Sequence, residues 1–182
     1  MHPQPRQEES IILVDEYDQE IGTEEKLKAH QHAKRHRAFS IFIFRQKQRT
    51  TQLLLQQRQQ DKYHCGGLWT NTCCSHPRKG ETTLEAARRR LVEEMGFSAT
   101  LHEVGCFEYK ISFTNGLTEH EIVHVFIGRY NGAPICPNER EVAAFRWVSI
   151  AALHEDLRNR ADRFTPWFQQ GLGIALANHT NL

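Results

Sequence analysis

The stretch Thr70–Pro77 reads T-N-T-C-C-S-H-P and sets a thiol two residues ahead of an imidazole. An extended chain repeats its side-chain direction every second residue, so Thr72, Cys74 and His76 are expected on one face and Cys73 and Ser75 on the other. A thiol and an imidazole sharing one wall suit a nucleophilic cysteine or a pair of metal ligands. Upstream, A-H-Q-H-A-K-R-H-R crowds His30, His32 and His36, and His30 and His36 can both reach one ion. The same residues suit a solvated basic segment. Downstream, Glu119 and Glu121 lie two apart in an extended run and should point to one face. Two carboxylates that close ionise together easily only with a cation between them, the alternative being an exposed strand edge.

These residues need elements to carry them. Ile11–Val14 reads as a short strand, and D-E-Y-D-Q-E-I-G behind it as a turn into a second. Thr23-Glu24-Glu25-Lys26 can cap a following helix or turn. Ala38–Phe44 and Gln52–Gln57 are strands that should pair antiparallel across R-Q-K-Q-R-T-T. Arg58 and Lys62 then fall in a loop whose Gly66-Gly67 permits tight geometry before a strand at Trp69–Cys74. The clearest helix starts at Thr82, capped through Glu85, and stops at Gly96. Leu84, Ala87, Leu91 and Met95 form its buried stripe, and the pairs Arg90/Glu94 and Arg89/Glu93 are four apart and therefore neighbours. In most helices such pairs are ordinary surface ion pairs. From Ala99 to Tyr130 the pattern is mostly extended around an Asn115-Gly116 turn. Phe145–Val148 reads as a last strand, Ser149 as the cap of a helix over Ile150–Arg160, and Thr165-Pro166 as cap and first residue of a final helix with Trp167 in its first turn. A tryptophan there is more often core than functional.

At 182 residues the chain suits one domain, over 11–182, behind a Pro- and Gln-rich flexible tail at 1–10. A net charge of +1 from 23 basic and 22 acidic residues gives no electrostatic reason to expect nucleic acid or a membrane surface. No run approaches the roughly 20 apolar residues of a membrane span, and the N-terminus lacks a signal-peptide core. Five cysteines without a C-x-x-C pair argue for reduced thiols. A soluble, cytoplasmic protein is the expectation.

Taken together, T-N-T-C-C-S-H-P, the G-G-L-W-T-N lead-in, E-H-E and the late T-P-W make the chain resemble the type I isopentenyl-diphosphate isomerases over roughly residues 11–170. That family is built on the Nudix fold, an α/β/α sandwich around a mixed β-sheet. The Nudix box G-x5-E-x7-R-E-U-x-E-E-x-G-U stands here as Ser75, Glu81, then Arg89-Arg90-Leu91-Val92-Glu93-Glu94-Met95-Gly96-Phe97, so Ser75 replaces its first glycine and Arg90 the first glutamate of its helix. Nudix hydrolases use those glutamates to gather magnesium around a pyrophosphate. An arginine in that place suits gripping a diphosphate instead.

The resemblance implies a divalent metal (manganese, zinc or magnesium) on His30, His36, His76, Glu119 and Glu121, with His32 as an alternative to His36. It also implies a magnesium on Glu94 that bridges to the diphosphate of a small-molecule substrate, which Lys26, Arg58, Lys62 and Arg90 would neutralise. The implied reaction interconverts isopentenyl and dimethylallyl diphosphate through a tertiary carbocation. Cys74 and Glu121 would be its acid–base pair, Tyr109 would assist proton delivery, and the indole of Trp167 would stabilise the cation. Two rivals stand beside this reading: a Nudix pyrophosphohydrolase acting on a nucleoside diphosphate derivative, and a noncatalytic module in which the same residues are structural metal ligands.

Overall fold

The computed structural model describes residues 10–181. In chain order the elements are β1 (Ser10–Val14), β2 (Glu20–Glu25), α1 (Lys26–Gln31), β3 (His36–Lys47), β4 (Thr50–Arg58), β5 (Trp69–Thr70), β6 (Cys73–Ser75), α2 (Thr83–Met95), β7 (Leu101–Ser112), β8 (Thr118–Arg129), β9 (Val142–Ser149), α3 (Ile150–Arg160) and α4 (Phe168–Asn178). The tail expected at 1–10 lies outside the described residues except for Ser10, which opens β1.

β3 is the hub because its run A-F-S-I-F-I-F is apolar on both faces, as a strand buried from two sides must be. It pairs antiparallel with β1, with β4 at Phe44–Lys47, and with β6 at Phe39–Ile41. Along His36–Phe44 it pairs in parallel with β8, and β7 continues the sheet as an antiparallel neighbour of β8. β4 stays beside β3 only near their shared hairpin. Farther along, β4 pairs with β5 at Gln56–Gln57 while β9 runs beside it from Gln52 to Arg58, and the opening between β3 and β4 admits the short β6.

The alternation of β3 splits the core into two layers. Phe39, Ile41 and Ile43 meet Ala86, Ala87, Leu91 and Met95 of α2. Ala38, Phe42 and Phe44 meet Leu153 of α3 and Phe168, Leu172 and Ala175 of α4. Each large side chain fully buried this way stabilises by about 1.5–3 kcal/mol, which fixes both helical layers on the sheet. The result is the expected α/β/α sandwich around a mixed sheet.

The boundaries of α2 follow the capping logic. Thr82 and Glu85 form a reciprocal capping box, and Gly96 closes the helix at φ 75°, where its Cβ-free backbone sits against Cys136. Ser149 caps α3. As expected of the Thr23–Lys26 stretch, Glu25 caps α1, its carboxylate accepting from the Leu27 and Lys28 N–H groups. Three expectations need correction. The strand at Trp69–Cys74 is two pieces, because Asn71 and Thr72 turn their side chains to the backbone of neighbouring strands. Arg58 ends β4 instead of lying in the loop. Thr165 does not cap α4: its hydroxyl donates to Thr70, so the chain makes a turn at Pro166 and the helix begins at Phe168 with Trp167 at the cap position.

Candidate active site

The parallel pairing of β3 and β8 sets His36 level with Glu121, while the antiparallel β6 sets Cys74 level with Ser40. By alternation, His36, Ser40, Cys74, His76, Glu119 and Glu121 all turn to the α3–α4 side of the sheet. There Ser40, Cys74, His76, Glu119 and Glu121 line a cavity of about 750 Å³, with His36 buried behind them. Cys73 points the other way and is fully buried under α2, as its place in the alternation requires.

His30, His36, His76 and Glu121 have donor atoms mutually within 4.8 Å, and His30, His64 and Glu119 form an overlapping group. His30 Nδ1 lies 2.6 Å from the Lys26 carbonyl and His36 Nδ1 2.8 Å from that of Lys34. A carbonyl only accepts, so each Nδ1 carries a proton and each Nε2 faces the cluster. Backbone anchoring of this kind orients imidazole ligands. Nε2 of His36 is buried without a hydrogen-bond partner, 3.3 Å from Glu121 Oε1, and Nδ1 of His76 and of His64 are likewise unpartnered. Glu119 lies between His30 Nε2 at 3.0 Å and His64 Nε2 at 2.5 Å.

Burial, together with Lys26, pushes the His76 imidazolium down to about 4, so His76 is neutral and free to ligate. Burial and Glu119 work against ionisation of Glu121, yet the neighbouring His36 and His76 imidazoles, the latter 2.8 Å away, hold its carboxyl down at about 2. Buried imidazoles with orphaned nitrogens beside paired carboxylates are donors that fit a divalent cation. His36 stands within this cluster, whereas His32 is exposed at the C-terminus of α1.

Glu121 Oε2 accepts a 2.7 Å hydrogen bond from Tyr109, whose phenol is kept protonated by burial and by the two glutamates. Tyr109 stacks on Trp167 at 5.7 Å. Across the cavity, Cys74 donates to Asn71 Oδ1 at 3.0 Å and lies 3.3 Å from Ser40 Oγ. Burial raises its thiol above the ordinary range, although the Ser40 and Asn71 contacts and Arg58 pull the other way. Cys74 therefore rests as the thiol.

Lys26, Arg58, Lys62 and Arg90 line the same cavity. Arg58 donates to the His64 carbonyl, and its guanidinium carbon is 5.7 Å from the centre of the Trp167 ring. Lys62 pairs with Glu141, while Arg90 contacts Glu93 at 2.8 Å and Glu94 at 2.5 Å. Glu94 also accepts from Gln56 and stands outside the His/Glu cluster, on the α2 side of the cavity. His64 and Glu141 were not among the residues singled out by spacing. The signal for His64 was its place beside Gly66-Gly67; Glu141, in N-E-R-E-V, carried none.

A family model described as the NUDIX domain matches residues 34–168. The chain is 50% identical over 161 residues to an isopentenyl-diphosphate Delta-isomerase of Burkholderia multivorans, covering 88% of this chain and 89% of that one. It is 48% identical over 161 residues to one from Serratia proteamaculans, covering 88% of each chain. Among solved structures, one from Deinococcus radiodurans superposes with a TM-score of 0.66 at 18% identity, over 84% of this chain and 90% of that one. An Ap4A hydrolase from C. elegans gives 0.60 at 20% identity, over 80% and 98%, a likeness of fold alone. With a NUDIX domain across most of its length and near full-length kinship to these enzymes, the chain belongs to the isopentenyl-diphosphate Delta-isomerase family of the NUDIX superfamily.

Proposed function

We propose that this protein interconverts isopentenyl and dimethylallyl diphosphate in isoprenoid biosynthesis, with Cys74 and Glu121 as the two ends of the proton transfer. The observation that best supports this reading is a resting thiol and an ionised carboxylate lining one buried cavity from the two strands that flank β3. In the forward direction the S–H bond of Cys74 breaks as the bond to C4 forms, leaving a thiolate and a tertiary cation at C3. Glu121 then takes a proton from C2 and the double bond closes between C2 and C3. The reverse reaction runs through the same groups, and exchange with solvent resets them. Tyr109 holds the Glu121 carboxylate and assists the proton's passage, while the Trp167 face stabilises the cation. Lys26, Arg58, Lys62 and Arg90 bind the diphosphate.

A divalent ion on His30, His36, His76, Glu119 and Glu121 would supply positive charge that fixes and polarises Glu121, and magnesium on Glu94 would bridge to the diphosphate. An enzyme that depends on a reduced thiol suits the cytoplasm. Among the described residues, no helix is long and apolar enough to cross a membrane.

The test is incubation of the purified protein with isopentenyl diphosphate and a divalent metal. Dimethylallyl diphosphate is the expected product, Cys74→Ala should abolish it, and Cys73→Ala should not. Release of phosphate without isomerisation would overturn the reading in favour of a hydrolase.

A further inference from the structure

A second set of groups surrounds the Cys74 sulfur. Asn71 is fully buried in the break between β5 and β6. Its Nδ2 donates to the Ile41 carbonyl at 3.0 Å and the Cys73 carbonyl at 2.9 Å, which uses both amide hydrogens. A flipped amide would aim its oxygen at two carbonyls, so the orientation is fixed. Oδ1 therefore faces Cys74 Sγ at 3.0 Å and Thr70 Oγ1 at 3.0 Å, and both donate to it. Thr70 in turn accepts from Thr165 at 2.9 Å, two residues before Trp167.

Ser40 is the second anomaly. It puts a hydroxyl, 2% exposed, into the most apolar strand of the molecule, between Ala38 and Phe42 on the same face. A buried hydroxyl is costly unless it is hydrogen-bonded. Its described partner is Cys74 Sγ at 3.3 Å. Because the thiol proton is directed to Asn71, the sulfur lone pair is left to accept from Ser40 O–H.

We infer that Asn71 and Ser40 are positioning residues for the isomerisation: Asn71 fixes the rotamer of the Cys74 thiol, and Ser40 holds the sulfur by donating to it once its proton has left. The inference rests on Cys74 being one end of the proton transfer. Neither residue contacts the cations assigned to the diphosphate, so both act on the chemical step and leave substrate binding alone. A hydrogen bond to a neutral sulfur is weak, whereas one to a thiolate is charge-assisted and about twice as strong. The difference between those two states is what Ser40 contributes to the barrier.

The test uses Ser40→Ala, which removes one hydroxyl from an apolar setting and leaves the Cys74–Asn71 hydrogen bond intact. The expected result is a fall in kcat of about tenfold to a hundredfold, the range for a hydrogen bond to a charged group, with KM within twofold of the parent. Ser40→Thr, which keeps the hydroxyl, should restore most of the loss. In a Cys74→Ser background, with its residual rate measured by solvent deuterium incorporation into product, Ser40→Ala should have a smaller effect than in the parent, because the two act as one unit. Unchanged kcat in Ser40→Ala overturns the inference, as does a loss confined to KM or a failure of Ser40→Thr to exceed Ser40→Ala. If Cys74→Ala itself retains full activity, the underlying assignment of Cys74 fails instead, and the two failures are told apart.

Discussion

Replacing Trp167 with phenylalanine and with leucine separates the electronic role of the indole from its bulk. The ring is 5% exposed, stacked on Tyr109 at 5.7 Å and 26°, and edge-on to His64 at 6.0 Å. Its Nε1 is buried without a hydrogen-bond partner, so removal of the indole N–H breaks no hydrogen bond and relieves a desolvated donor. A desolvated cation–π contact is worth about 2 kcal/mol, and losing it entirely lowers kcat about thirtyfold. Phenylalanine keeps an aromatic face of weaker quadrupole and should lose about three- to tenfold; leucine should lose about thirtyfold or more. The leucine variant also forfeits the stack and leaves a cavity, so its Tm should fall by about 4–12 °C for about 2–3 kcal/mol, while phenylalanine stays closer to the parent. Steady-state kinetics on isopentenyl diphosphate, paired with thermal unfolding, reads both quantities. KM should stay near the parent value because the diphosphate is held by the cationic side chains. Equal kcat for phenylalanine and leucine would refute the cation–π argument, since bulk alone would then account for the residue.

Arg90→Met strands Glu94, whose side chain is 6% exposed, without its ion-pair partner; stability should drop by about 3 kcal/mol and KM for the diphosphate should rise, both measurable on one preparation. Thr82→Ala removes the capping box of α2 and should cost about 1 kcal/mol, seen as a Tm about 2–4 °C lower with kcat unchanged. For the His/Glu cluster, a cation present at about a hundredfold its Kd adds about 2.7 kcal/mol, so chelation should lower Tm by about 5–11 °C and re-addition should restore it. An unaltered Tm on chelation would count against a folded-state metal site.

The elements with local causes were legible in the sequence. The α2 boundaries follow from Thr82, Glu85 and Gly96, and the separation of Cys73 from Cys74 follows from strand alternation, because both depend on neighbours a few residues away. The resemblance supplied the ligand and cation sets as expectations; the fold brings the cations, His76, Glu119 and Glu121 to one cavity and clusters His30 and His36 with His76 and Glu121. Tertiary contacts decided the rest. Thr165 looked like a cap by its position before Pro166, but its hydroxyl is engaged by Thr70, ninety-five residues away in the chain, and the helix starts later. The parallel register of β3 with β8 sets His36 beside Glu121, whereas His32 is left exposed at a helix end.

By itself, then, the sequence determined which residues can do chemistry and which face of a local element they occupy, since period and capping are properties of the nearby chain. Only the tertiary structure decided that His64 meets Glu119, that Glu141 reaches Lys62, and that Ser40 and Asn71 hold the Cys74 sulfur. The longest of these contacts, His64 with Glu119 and Lys62 with Glu141, join residues far apart in the chain, and no spacing rule within one segment encodes the strand register that brings them together.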